Sequence, residues 1–205
     1  MSQYFRVHPD NPQPRLIRQA EEIIRAGGIA ILPTDSCYVL ACHLDDKSAV
    51  EKIRRIRQLD KNHLFTLICR DLSEISTYAK VGNSAYRILK AHTPGPYTFW
   101  LRATGIVPRR LQHPKRKTIG IRVPDHPVLS ALLHEHNQPI MGSTLILPGN
   151  EFAETDADEI RDKLEHQVDL IIDAGHCGVE PTTVVDLLED VPKVVREGKG
   201  SISDW

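Results

Sequence analysis

No apolar run in this 205-residue chain approaches the roughly 20 residues that a membrane-spanning helix needs, so no membrane partner is expected. The first residues, Met1-Ser2-Gln3-Tyr4-Phe5-Arg6, lack the apolar core of a signal peptide, and secretion by that route is not expected either. Cysteine is scarce. Cys37, Cys42, Cys69 and Cys177 are scattered without a Cys-x-x-Cys pair, which points to free thiols and a cytoplasmic location. Cys37, Cys42 and His43 lie close in sequence but match no zinc spacing and lack a fourth ligand, so no protein metal site is expected. Charge of one sign is also missing. The net charge of -1 gives no bulk attraction for a polyanion. There is no Gly-x-x-x-x-Gly-Lys phosphate loop and no Gly-x-Ser-x-Gly elbow, and Gly198-Lys199-Gly200 has no helix after it to make a dinucleotide fingerprint.

What is present is an ordinary globular composition, with 40% hydrophobic and 26% charged residues. No internal repeat or long linker divides it, so residues 1–205 are read as one domain. The charges are clustered. Arg54, Arg55, Arg57, Lys61, His63 and Arg70 form one basic stretch, and Arg109, Arg110, Lys115, Arg116 and Lys117 form another. An acidic block from Glu151 to Asp162 balances them and suits a polar surface helix. His8, His113, His134, His136 and His166 sit in polar surroundings and read as surface histidines.

The apolar spacing of Leu16, Ile17, Ala20, Ile23 and Ile24 predicts a helix that starts near Pro12 and Pro14 and stops at Gly27-Gly28. Ile29–Leu32 reads as a buried strand, which Pro33 ends. A second helix follows Asp45 or Asp46 as its cap, with Ala49, Val50, Ile53 and Ile56 inward. Strands are expected at Phe65–Cys69, Tyr97–Leu101, Thr118–Val123, Pro139–Gly142, Val168–Asp173, Thr183–Leu187 and Lys193–Arg196. Helices are expected around Leu72–Tyr78, around Ser84–Ala91, through Val128–Leu133, and from Asp156 to near Gln167. Helices alternating with strands, some joined by turn-length links, imply a mixed α/β sheet covered by helices.

One arrangement recurs. Thr34-Asp35-Ser36, Arg122, Ser143-Thr144, Thr182-Thr183 and Arg196 each fall at or next to a predicted strand end. Hydroxyls, backbone N–H groups and guanidinium forks there suit a carboxylate or a phosphate. Taken alone, Pro33–Leu40 reads as a plain turn rather than a site.

These segments resemble the YrdC/YciO family of threonylcarbamoyl-AMP synthases and their relatives. The likeness rests on Pro33-Thr34-Asp35-Ser36-Cys37-Tyr38, Pro94-Gly95-Pro96-Tyr97-Thr98-Phe99, Gly120-Ile121-Arg122-Val123-Pro124, Pro181-Thr182-Thr183-Val184-Val185-Asp186 and Val195-Arg196-Glu197-Gly198, in one order. It implies a twisted open mixed sheet with a concave, positively charged cavity. It also implies joining of ATP, L-threonine and bicarbonate into threonylcarbamoyl-AMP for transfer RNA modification, with Mg2+ on the triphosphate.

By the same resemblance, Arg57 and Arg122 would be the catalytic cations. Thr34, Ser36 and Tyr38 would line the threonine end, and Ser143, Thr144, Thr182 and Arg196 would surround ATP or AMP. Two positions depart from the family pattern. Lys-x-Arg is replaced by Arg57-Gln58-Leu59, and Ser-x-Asn by Thr144-Leu145-Ile146. Lys61 and His63 lie close enough in sequence to stand in for the lost cation. Both departures resemble the YciO branch and imply weak or altered catalysis. The alternative is a non-catalytic protein that binds double-stranded RNA, tRNA or a nucleotide, with Arg109, Arg110, Lys115, Arg116 and Lys117 as its RNA contacts.

Overall fold

The computed structural model describes residues 1–203 and 205. Its strands are β1 (Gln3–Arg6), β2 (Ala30–Leu32), β3 (Val39–His43), β4 (Thr66–Ile68), β5 (Ala79–Lys80), β6 (Tyr97–Ala103), β7 (Thr118–Arg122), β8 (Ile140–Thr144), β9 (Leu170–Asp173), β10 (Thr183–Asp186) and β11 (Lys193–Arg196). The helices are α1 (Pro14–Arg25), α2 (Lys47–Arg57), α3 (Leu72–Tyr78), α4 (Asn83–His92), α5 (Pro127–His136) and α6 (Ala157–Leu164). One open mixed sheet runs β1-β9-β2-β3-β8-β4-β7-β6-β10-β11, and β5 pairs with β6 off that path. The pairs β1/β9, β9/β2, β4/β7 and β6/β10 are parallel and the others antiparallel. No helix among the described residues is long and apolar enough to cross a membrane.

Local chemistry sets the boundaries. Pro14 opens α1, and Gly27 (φ +92°) lets the chain turn away after it. Asp46 caps α2 by accepting from the Ala49 N–H at 2.9 Å. Asp156 caps α6 by accepting from the N–H groups of Asp158 and Glu159.

The two faces of the sheet are covered differently. On one face, α2, α3, α4 and α6 press Ile53, Ile75, Leu89 and Ile160 onto Leu40, Leu67, Phe99, Ile121 and Val185. On the other, α1 and α5 press Ile17, Ile24, Leu129 and Leu132 onto Ala30, Leu32, Val39, Ala41, Ile68 and Ile140. That second covering stops near the ends of β4 and β8. Beyond it, the alternating positions of β4, β7, β6 and β10 open into a cleft instead of a core.

Several expectations need correction. β1, β3 and β5 were not foreseen: β1 is short and half-exposed, β5 has two residues, and β3 continues an apolar stretch read only as a turn and site. Ser143 and Thr144 lie inside β8 rather than after it. His136 is not a surface residue. It is 1% exposed in the last turn of α5, with Nδ1 3.0 Å from Glu21 Oε1 on α1.

Candidate functional site

Period-2 alternation builds the cleft. Phe99 and Leu101 of β6 enter the core, which sends Thr98 and Trp100 to the opposite face. Thr66 and Ile68 on β4, Thr118 and Arg122 on β7, Gly142 and Thr144 on β8, and Thr182 and Val184 at β10 line the same space. Most are small or carry hydroxyls, and the space they leave is about 550 Å³. Asn62, His63 and Leu64 close one rim, and His113 and Arg116 another. Four arginines (Arg57, Arg116, Arg122 and Arg196) line the cleft, and among the described residues no carboxylate does.

Each arginine is held differently. Arg57, from the last turn of α2, donates from Nη1 to Ser143 Oγ at 2.6 Å and from Nε to the Ile146 carbonyl at 3.1 Å. Arg196 donates to the Thr182 carbonyl from Nη2 at 2.8 Å and from Nε at 3.2 Å. These partners are neutral. Burial lowers the pKa of both groups, yet a guanidinium stays charged at neutral pH. Arg122 has a fully buried side chain paired to Asp35, and its Nη2 lies 3.3 Å from Ser36 Oγ. Burial is the main influence lowering its pKa, and Asp35 opposes it. Among the described residues its Nε has no hydrogen-bond partner. Asp35 Oδ2 also accepts from the Asp125 N–H at 2.9 Å, which fixes the carboxylate behind the cleft.

The Thr34–Tyr38 segment stands behind this wall. Thr34 Oγ1 accepts from the Ser36 N–H at 3.0 Å and donates to the Cys37 carbonyl at 2.6 Å. Thr34 and Ser36 are buried and reach the cleft only through Arg122. Tyr38 is fully buried, and its hydroxyl donates to the Gly175 carbonyl at 2.6 Å, so it does not line the cleft. Cys37 is inert: burial raises its thiol to about 11.

Of the other candidate residues, Arg57, His63, Ser143, Thr144, Thr182 and Arg196 line the cleft. Lys61 is exposed and does not. Of the basic-loop cations only Arg116 lines it. Arg109, Lys115 and Lys117 are exposed elsewhere, and Arg110 donates to the Leu44 carbonyl at 3.2 Å. Of the two departures from the family pattern, Ile146 lines the cleft, whereas Leu59 is half-buried against the core. Thr66, Thr98, Trp100 and Thr118 were missed as site residues. Their signal was present, since they alternate with core positions in strands that were foreseen.

The floor is filled by absence. A Cβ on Gly120 would lie 3.1 Å from Thr66 Oγ1 and 3.2 Å from Thr98 Cγ2. Gly120→Val is therefore expected to block the cleft, cutting ligand affinity at least tenfold, for about 1–3 kcal/mol of stability. Calorimetric binding beside a melting curve checks this; unchanged affinity would contradict it.

His63 is pushed down to about 4, first by burial and then by Arg57 and Arg54. It is therefore neutral at pH 7 and does not supply a missing cation. A histidine with its folded pKa below the unfolded 6.5 or so adds stability above that pH, which is lost as pH falls toward 4. NMR titration of its ring is expected to show a midpoint near 4, moving upward when an anion enters the cleft. A midpoint near 6.5 in the free protein would refute this.

A family model for Sua5/YciO/YrdC, described as "Telomere recombination", matches residues 22–198. An uncharacterized protein of Escherichia coli (strain K12) named YciO is 58% identical over 205 residues, covering 100% of both chains. The crystal structure of E. coli YciO superimposes with a TM-score of 0.96 over 99% of this chain and 98% of that one. A threonylcarbamoyl-AMP synthase of Vibrio vulnificus (strain YJ016) is 26% identical over 159 residues, 76% of this chain and 84% of that protein. P. abyssi Sua5, solved in complex with L-threonine, is 25% identical with a TM-score of 0.88, covering 96% of this chain and 58% of that one.

Proposed function

Because the chain belongs to the Sua5/YciO/YrdC family, we propose that its cleft binds ATP and L-threonine and carries out a threonylcarbamoyl-AMP synthase-like transfer. One observation carries this reading. Arg57 is a half-buried cation and Arg196 an exposed one, their hydrogen-bond partners among the described residues are all neutral, and among those residues no carboxylate lines the cleft. A phosphate chain supplies the counter-charge.

The chemistry asks for positioning more than for a nucleophile on the protein. The threonine amine and bicarbonate form a carbamate with loss of water. A carbamate oxygen then attacks the α-phosphorus, the bond to the β-phosphate oxygen breaks, and pyrophosphate leaves with the electron pair. Arg57 and Arg196 neutralise charge on the phosphates, and Arg122 takes the carboxylate or α-phosphate at the Asp35 end. The cleft's donors are hydroxyls and guanidinium groups. Among the described residues no three His, Cys, Asp or Glu side chains gather as a metal requires. These residues do not fit a protein-held magnesium ion, and any Mg2+ would travel on the triphosphate's own oxygens.

The test is pyrophosphate release from ATP. Release that requires both threonine and bicarbonate is expected; none above a heat-killed control would defeat the synthase reading.

A second reading, binding of double-stranded RNA or tRNA, is favoured by the exposure of Arg109, Lys115, Arg116 and Lys117 on the loop that brings Arg116 to the cleft. On that reading, Arg116→Glu with Lys117→Glu should weaken a gel shift strongly and flatten its salt dependence by about two phosphate contacts. A shift that ignores both salt and charge reversal would count against RNA.

A further inference from the structure

We propose that Trp100 is the platform on which the planar base of the nucleotide stacks, making it a specificity-determining residue of the cleft. This rests on the nucleotide reading above. Trp100 lies on β6 between Phe99 and Leu101, both fully buried in the core, so its indole stands on the cleft face. Its cross-strand neighbour on β7 is Gly120, which has no side chain to cover the ring. Among the described residues the indole is the only aromatic ring lining the cleft apart from the imidazoles of His63 and His113.

The other tryptophan shows what a packing role looks like. Trp205 donates from Nε1 to the Ser201 carbonyl at 3.0 Å and stacks on His92 with centroids 4.2 Å apart. Trp100 makes neither kind of contact among the described residues, neither an Nε1 hydrogen bond nor a ring stack. A half-buried indole whose face and N–H are both unused is an amphipathic surface awaiting a partner. Arg57, Arg116, Arg122 and Arg196 line the same space, so the partner has an anionic part as well as a flat one. A base joined to a phosphate through a ribose has both. The small side chains of Thr66 and Thr98, and the absence of one at Gly120, leave room for it beside the ring.

Two tryptophans in the chain make the test direct. In a Trp205→Phe variant the fluorescence reports Trp100 alone. Adenosine monophosphate is expected to quench it, while ribose 5-phosphate binds by calorimetry without quenching. Trp100→Ala should weaken AMP binding by roughly 5- to 150-fold, the usual range for one base on one aromatic ring, and leave ribose 5-phosphate within about twofold. Trp100→Phe should retain most of the AMP affinity. Native AMP affinity in Trp100→Ala overturns the proposal, and so does an equal loss of both ligands, which would mark a structural role. If the native protein binds neither AMP nor ATP, the nucleotide reading fails and the stacking fails with it.

Discussion

Arg122→Ala is expected to abolish measurable turnover and to destabilise the fold at the same time. The two losses have different origins. The guanidinium is the most deeply buried cation of the cleft, and each charge-assisted bond it makes to a ligand anion contributes about 1.5–3 kcal/mol, or roughly ten- to over a hundred-fold in rate. Its removal also leaves Asp35 without its counter-ion, with a side chain only 10% exposed and held in place by the Asp125 N–H. Breaking a buried pair from one side costs about 3–5 kcal/mol. Arg122→Met combined with Asp35→Asn removes both charges together, so it should recover most of the stability and none of the activity. Melting curves with binding calorimetry separate the effects. Retained ATP or threonine affinity in the double variant would remove Arg122 from the site.

The second large effect is a gain. Ile146→Asn is expected to raise kcat/KM for ATP by about five- to tenfold, corresponding to one new hydrogen bond of about 1 kcal/mol or a little more. Ile146 lines the cleft, and its carbonyl already anchors Arg57 through Nε, a backbone contact that the substitution leaves intact. Leu59→Arg should behave otherwise, although sequence pattern alone gives the two positions equal weight. Leu59 follows Gln58, whose left-handed φ of 52° ends α2, and it packs partly against the core. An arginine there loses apolar packing, costing about 1–3 kcal/mol, and leaves turnover unchanged. A gain from Leu59→Arg with none from Ile146→Asn would reverse this assignment. Initial-rate kinetics on the two single variants decide it.

The strand-end residues carried most of what could be read in advance, because hydroxyls and arginines beside apolar runs mark where a sheet opens. Arg57, Arg122, Ser143, Thr144, Thr182 and Arg196 do meet in one cleft. Thr34, Ser36 and Tyr38 were expected, from the family resemblance, to line the threonine end. The chain is not a strand there. Thr34 folds back on the Cys37 carbonyl and the Ser36 N–H, the alternation is lost, and Tyr38 turns into the core. Lys61 shows the opposite failure: nearness in sequence to Arg57 did not bring it to the cleft, because the loop after α2 turns it outward. His136 was legible only with α1 in place, since its partner Glu21 lies 115 residues away. Trp100 was visible as a strand residue, but its bare face depends on Gly120 across the sheet, a pairing no single stretch of sequence contains.

The central claim is that the arginines lining the open half of the sheet hold a nucleotide's phosphates. A crystal structure of the native protein grown with AMP and L-threonine tests it most directly. The prediction is phosphate oxygens at about 2.7–2.9 Å from guanidinium nitrogens of Arg57, Arg122 or Arg196. A nucleotide seated with its phosphate away from all three would contradict it.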